Sequence, residues 1–156
     1  MNLKLSIMTL AFIAAGLMLS MAAFAQEKEN SLDGDALLIA AQKICPVSGG
    51  DLRAMGGPIK AKSGDQTVFL CCKECLGKPI SKENWAQVTV NLTAAQGRCP
   101  VMNRPLPQGA KSVVVNGRRV FVCCPPCIGK IQANPDRFLA VVNAMLAKNV
   151  GQLRAE

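Results

Sequence analysis

A set of four cysteines occurs twice in this chain at matching spacing, and that duplication constrains the fold more than any other feature. The first set is Cys45, within Cys45-Pro46-Val47, then Cys71, Cys72 and Cys75. The second is Cys99, within Cys99-Pro100-Val101, then Cys123, Cys124 and Cys127. The copies are offset by 54 residues at the first cysteine and by 52 at the other three. Val68-Phe69 matches Val120-Phe121, and Gly77-Lys78 matches Gly129-Lys130. Agreement at so many positions marks an internal duplication. Units of about fifty residues have thin cores, so each is expected to need a staple, either a metal ion or disulfides.

Periodicity gives each unit a coarse structure. Residues 35–43 are apolar and helix-compatible, and Cys-Pro-Val then opens a turn because proline fixes φ and lacks a donor. Short strands are expected over 59–62 and 66–71 around Ser63-Gly64-Asp65, and over 112–115 and 118–123 around Asn116-Gly117. Asn-Gly between β-branched runs is a strong hairpin signal. A helix is expected from Ser81 or Lys82 to about Ala95, with Trp85, Val88 and Leu92 inward. Another is expected from Asn134-Pro135-Asp136 to about Lys148, with Phe138, Val141, Val142 and Met145 on one face. The β-branched run Val88-Thr89-Val90 counts against the first of these helices. Thr93 to Gly97 reads as a link between units, and the chain from Asn149 as a frayed tail.

The expected fold class is therefore small α+β. Two tandem units, each built as cysteine turn, β-hairpin, Cys-Cys-x-x-Cys and helix, follow a signal peptide. The divisions are a signal peptide at 1–25, a linker and helix at 26–43, unit one at 44–96, unit two at 97–148 and a tail at 149–156. The leader is read from Lys4, the apolar run Leu5 to Met21, and Ala23-Phe24-Ala25 as an A-x-A cleavage pattern. It implies an exported protein, periplasmic or secreted, with no stable membrane insertion once the leader is removed.

Composition narrows the chemistry. The chain has no histidine and no tyrosine, which excludes His-dependent acid–base catalysis, a Cys–His dyad and imidazole metal ligands. Its net charge is +8. The basic residues are scattered, with no block longer than Arg118-Arg119, so nucleic acid is not an expected partner. No phosphate loop, carboxylate pair or Ser/His/Asp set occurs, and Asp33, Asp35 and Asp51 are dispersed. No enzymatic activity is expected.

Three uses remain for the sulfurs. As metal ligands, all eight (Cys45, Cys71, Cys72, Cys75, Cys99, Cys123, Cys124 and Cys127) are candidates. Thiolates select Zn(II), Cu(I) or similar soft ions, and Cys-x-x-Cys is the usual knuckle spacing. Successive strand side chains point to opposite faces, so Cys71 and Cys72 can both turn inward only if the strand has ended. Cys71 and Cys75 share a face if a helix starts early. Leaving out one of each adjacent pair gives three thiolates, a set suited to Cu(I) or Hg(II), whereas structural Zn(II) takes four. Both sets stay open. As disulfides, the cysteines would staple an exported interaction module, although adjacent cysteines rarely bond each other. As a redox site, Cys72–Cys75 and Cys124–Cys127 would serve a thiol–disulfide oxidoreductase or sensor, but the βαβ context of such enzymes is missing. The metal reading ranks first, with metal buffering, trafficking or resistance, or a structural ion, as its purpose. Its partners are metal ions and a protein partner in metal transfer.

The order of features resembles the YHS/TRASH group of small metal-binding domains. That order is Cys-Pro-Val, a hairpin patterned V-x-x-G-x-x-V-F, Cys-Cys-x-x-Cys, then a helix opening near Asn-Pro-Asp. Unit two is the closer match, with Val115, Gly117, Val120-Phe121 and Asn134-Pro135-Asp136-Arg137-Phe138-Leu139. In unit one, Ser81-Lys82-Glu83 stands where Asn-Pro-Asp would be. The resemblance implies a treble-clef or zinc-ribbon-like fold and a role in heavy-metal sensing, trafficking or resistance. It also implies a three-cysteine pattern that maps onto Cys45, Cys71 and Cys75, and onto Cys99, Cys123 and Cys127. Cys-Pro-Val occupies the place of the group's Tyr-His-Ser signature.

Met55 and Met102 lie near the first cysteines and read as ordinary loop or core methionines ahead of Cu(I) ligands. Trp85 reads as core, Arg118-Arg119 as a solvated hairpin edge, and Gly49-Gly50 with Gly56-Gly57 as a flexible loop.

Overall fold

The computed structural model describes residues 34–54 and 56–152. The expected signal peptide, Asp33 and Met55 lie outside them. Both cysteine repeats, units one and two, lie within a single compact body that begins at Leu37. The described part is small α+β, with two separate two-stranded antiparallel sheets.

Helix α1 covers 34–42. Strands β1 (Ile59–Ser63) and β2 (Gln66–Leu70) pair with Ile59 opposite Leu70, and β3 (Lys111–Val115) and β4 (Arg118–Val122) pair with Lys111 opposite Val122. The turn residues account for the tight hairpins. Asn116 and Gly117 both have positive φ, 49° and 76°, the combination that matches the twist of flanking strands. Helix α2 is Lys82–Gln96, α3 is Pro126–Ala133 and α4 is Pro135–Gln152.

Ser81 caps α2, its hydroxyl accepting from the Asn84 N–H at 3.3 Å. The β-branched run does not break this helix. Val88 is fully buried, and the Thr89 and Thr93 hydroxyls donate to the carbonyls of Trp85 (2.9 Å) and Thr89 (2.7 Å), one turn back. Residues 93–96, expected as a link, are the last turn of α2, and Gly97 ends it at φ 69°. Unit one therefore runs by a continuous helix into the first cysteine turn of unit two.

One core serves both units. Leu38, Phe69, Val88 and Leu92 belong to the same buried cluster as Phe121, Ile131, Val142 and Leu146. Full burial of an apolar side chain such as Phe121 contributes about 1.5–3 kcal/mol, and sharing these contacts relieves two units that are each too small to bury much alone. The buried stripe of α4 is Val142, Leu146 and Val150, which places its centre one turn beyond the expected face. Residues 149–152, expected to fray, continue α4, and the Asn149 side chain donates to the Ala95 carbonyl at 2.8 Å.

The expected solvated edge at Arg119 is instead a joint between the two units. Its guanidinium donates to Gln66 Oε1 (2.7 Å) and Ser112 Oγ (2.9 Å) and lies 5.6 Å from the centre of the Trp85 ring. Burial lowers its pKa from the usual guanidinium value. Beside it, the Thr67 N–H donates to the Gly117 carbonyl at 2.7 Å. Among the described residues, no helix is long and apolar enough to cross a membrane.

Candidate metal centres

Each centre begins with a backbone turn that both units build identically. After α1, Lys43 takes φ 66°, and after α2, Gly97 takes φ 69°. The Cys45 N–H then donates to the Gly50 carbonyl, and the Gly49 N–H returns to the Cys45 carbonyl, both at 2.8 Å. In unit two, the Cys99 N–H donates to Arg104 and the Asn103 N–H to Cys99, again at 2.8 Å. Gly49 and Asn103 hold the left-handed conformation this turn needs, at φ 75° and 51°. The turn wraps amide N–H groups around one sulfur.

A buried glutamine then fixes the hairpin to the turn. Gln42 Nε2 donates to the Phe69 carbonyl (2.7 Å) and the Ile44 carbonyl (2.9 Å), while its Oε1 accepts the Phe69 N–H (3.0 Å). Gln96 repeats this with Phe121 (2.7 and 2.9 Å) and Arg98 (2.9 Å). These glutamines were not singled out from the sequence. The signal was present, since Gln42 and Gln96 stand three residues before Cys45 and Cys99 at the same 54-residue offset.

Strands β2 and β4 end at Leu70 and Val122, so each double cysteine lies just past a strand and escapes its alternation. Cys72 is extended (φ −160°, ψ 168°), and the chain folds into a 3₁₀ turn over Lys73–Cys75. In unit two, Pro125 and Pro126 open the full helix α3 at the same place. The difference lies downstream: Gly77 turns left-handed at φ 73° ahead of Pro79, whereas Gly129 lies within α3.

Three sulfurs converge in each unit. Those of Cys45, Cys71 and Cys75 all lie within 4.8 Å of one another, as do those of Cys99, Cys123 and Cys127. The Cys71–Cys75 separation is 3.8 Å. A metal–sulfur bond of about 2.3 Å implies sulfurs about 3.8 Å apart in a tetrahedral set and about 4.0 Å in a trigonal one, so the triads have the dimensions of a thiolate metal site. Of the eight candidates, Cys72 and Cys124 fall outside the triads, but only just. Cys72 Sγ is 3.8 Å from Cys71 and 3.7 Å from Cys75; Cys124 Sγ is 3.8 Å from Cys123 and 3.3 Å from Cys127. All eight cysteines are free thiols. Met102 is 44 % exposed.

The turn distributes charge unevenly within each cluster. Burial is the largest influence on Cys45 and opposes its ionisation. The N–H groups of Ser48, Cys71 and Val47, with the Ser48 hydroxyl, outweigh it and lower the pKa to about 6. Cys99 is also lowered, with burial opposed by the N–H groups of Cys123, Met102 and Val101 and by the Cys123 thiol. Burial, then hydrogen bonds with neighbouring sulfurs, pushes Cys75 and Cys127 up to about 12. Cys123 is raised mainly by burial. Cys72 is raised mainly because its thiol donates to the Glu74 carboxylate, which is lowered in turn. Cys124 is lowered, chiefly by its hydrogen bond with Cys127. The metal-free cluster of unit one thus carries its negative charge first on Cys45, the sulfur of the Cys-Pro turn, and an arriving cation displaces protons from the rest.

No family model, no curated protein and no solved structure matches the chain.

Proposed function

We propose that the protein binds one thiophilic metal ion per cysteine triad, Cu(I) or Zn(II), and holds it exchangeably for buffering, trafficking or resistance. The observation that carries this reading is the triad itself, three sulfurs within 4.8 Å of one another, built twice. The donor chemistry agrees. The sets contain only soft sulfur, which selects Cu(I), Zn(II) and related ions over Mg(II) or Ca(II). Three thiolates match the preference of Cu(I), and Zn(II) would draw in Cys72 or Cys124 as a fourth ligand. The amide groups around Cys45 and Cys99 hold the first thiolate, and the strand ends and following turns bring the other two to it. The leader pattern extends the proposal to an exported protein, and the resemblance to the YHS/TRASH group supports a treble-clef-like unit and a metal-handling role.

Native mass spectrometry of the leaderless protein, with thiol counting after denaturation, tests this. The expected result is two ions per chain with the thiols free, one ion after Cys75→Ser and none after Cys75→Ser with Cys127→Ser. Absence of metal and a mass deficit of about two daltons per bridge would overturn it. A second reading, a thiol–disulfide oxidoreductase or sensor, draws on the 3.3 Å contact between Cys124 and Cys127. It predicts a disulfide there that forms and reduces reversibly in a protein without metal.

A further inference from the structure

With Cu(I) held by three thiolates, the proposed binding function leaves two sulfurs without a task. Cys72 and Cys124 each touch two members of a triad, at 3.3–3.8 Å, yet stand outside it. Cys45, Cys71 and Cys75 are all buried, and Cys72 is the one sulfur-bearing residue of that cluster with partial exposure. In unit two, Cys99 and Cys127 are buried while Cys123 and Cys124 are partly exposed. Each cluster is therefore graded, from a fully buried sulfur on the Cys-Pro turn, through the sulfurs at the strand end and the following turn, to a partly exposed sulfur beside them.

This gradation is what ligand exchange at a buried soft ion requires. A buried thiophilic ion leaves a three-sulfur site slowly by dissociation, because the bare ion would enter water without a ligand. It moves readily by substitution, in which a new metal–sulfur bond forms before an old one breaks. The incoming sulfur must be reachable from solvent and lie within a ligand–ligand distance of the sulfurs already bound. Cys72 and Cys124 satisfy both conditions.

Resting on the proposed binding of a thiophilic ion, we infer that Cys72 and Cys124 are exchange ligands, which pass a d¹⁰ ion between the buried triad and a soluble thiol carrier. The carrier class is a bis-thiolate complex of Cu(I), whether with a small thiol or with the paired cysteines of a partner protein. On loading, a bond forms from Cys72 Sγ to the ion and one carrier–metal bond breaks; the leaving thiolate takes up the proton that Cys72 releases. Cys71 and Cys75, both in contact with Cys72, bind next, and the second carrier thiolate leaves in the same way. Cys45 binds last, and Cys72 recovers a proton as it lets go. The ion stays Cu(I) throughout. Cys71 and Cys75 give up two protons in all, which the two carrier thiols take, and Cys45 binds as the thiolate it already is. Unloading is the reverse.

The test compares wild-type protein with the Cys72→Ser, Cys124→Ser double variant, using Cu(I) supplied as its glutathione complex and removed by bicinchoninate. The expected result is an unchanged stoichiometry of two ions and an affinity within about threefold of wild type, with loading and removal both slowed at least tenfold. Equal slowing in both directions at constant affinity marks an exchange ligand, because loss of a permanent ligand weakens affinity instead. Rates equal to wild type, or a large fall in affinity, would overturn the inference while leaving the binding function intact. Wild-type protein that takes up no Cu(I) would overturn both. A measurement without mutation covers the case of a misfolded variant. Brief iodoacetamide treatment of the Cu(I)-loaded wild type, mapped by peptide mass, should modify Cys72 and Cys124 first and spare Cys123, although Cys123 is also partly exposed. Labelling of Cys123 as fast as Cys124 would overturn the assignment.

Discussion

The side-chain amide of Gln42 pairs with both backbone groups of Phe69, donating to its carbonyl at 2.7 Å and accepting its N–H at 3.0 Å, although the two residues are 27 positions apart. This bidentate pairing stands in for a neighbouring strand that a two-stranded sheet lacks. Phe69 lies two residues before Cys71, so the glutamine sets where the hairpin's sulfur arrives relative to Cys45. Gln96 does the same for Phe121 and Cys123.

Replacing Gln42 with Ala or Leu leaves a buried N–H and a buried carbonyl unpaired. Each unsatisfied group costs about 1–3 kcal/mol, so the variant should lose about 2–6 kcal/mol of unfolding free energy in denaturant titration. Metal affinity should fall at the unit-one site, and Gln42→Glu, which keeps an acceptor but loses the donor when ionised, should not rescue it. A change below about 0.5 kcal/mol would mean that the strand finds another partner.

Arg119 joins the two units through Gln66, Ser112 and the Trp85 ring. Lysine cannot reproduce this forked, stacked geometry. Arg119→Lys should destabilise the protein by about 1–3 kcal/mol, the range of a charge-assisted hydrogen bond lost in a partly buried place. Because the core is shared, unfolding should remain a single transition by circular dichroism and Trp85 fluorescence. Two separated transitions would show that the units fold independently once the joint is cut.

Gly49 offers a test confined to unit one. It holds φ 75°, and a Cβ there would lie 2.8 Å from Asn84 Oδ1, whose own amide donates to the Val47 carbonyl at 3.1 Å. Gly49→Ala should destabilise by about 1–2 kcal/mol through its left-handed backbone alone, and should weaken metal binding at the first triad without affecting the second. Gly50→Ala, where an added Cβ meets only Ser48 Oγ at 3.5 Å, should be close to neutral. Equal effects from the two substitutions would contradict this account of the turn.

The thiol pKa values make the stability of the metal-free protein depend on pH. Cys45 ionises at about 6 in the fold, against about 8.5 for an unperturbed thiol, and Cys99 is shifted in the same direction. Between these values the unfolded chain binds more protons than the folded one, so stability rises with pH. That contribution is fully present above about pH 8.5 and is lost as pH falls through about 6. Cys75 and Cys127, raised to about 12, act oppositely: their contribution is present below about pH 8.5 and is lost as pH rises toward 12. Denaturant titrations of reduced, metal-free protein should therefore show greatest stability near pH 8–9. Ultraviolet absorbance of the thiolate should already be appearing at about pH 6. A profile that falls steadily from pH 6 to 9 would contradict the assignment.

Local chemistry accounts for what could be read from the chain. Asn116-Gly117 takes positive φ at both positions, Ser81 accepts from the backbone at the start of α2, and β-branched residues flank Asn116-Gly117 on both sides; each depends on a few adjacent residues. The α+β class and the two cysteine sets followed from the same kind of signal. Where reading along the chain fell short, partners distant in sequence decided. Val88 and Val90 are poor helix formers and Val90 is exposed, but the face of α2 that carries Val88 packs into a shared core, and the threonine hydroxyls bond within the helix. Residues 149–152 carry no strong stop or start signal, and the Ala95 carbonyl claims Asn149. Arg119 looks like a surface charge until hairpin and helix bring Gln66 and Trp85 beside it.

By itself, then, the sequence determined the repeat, the turn chemistry at each Cys-Pro, the hairpins and the soft donor set, because glycine, proline and cysteine act through conformational limits and reactivity that travel with the residue. Only the tertiary structure separated triad from neighbour. Cys71 and Cys72 are adjacent, chemically identical and equally eligible by spacing. The end of β2 at Leu70, the glutamine clamp on Phe69 and the turn over Lys73–Cys75 together aim one sulfur at Cys45 and leave the other partly exposed beside it. That choice depends on distances across more than twenty-five residues of chain, which no local pattern encodes.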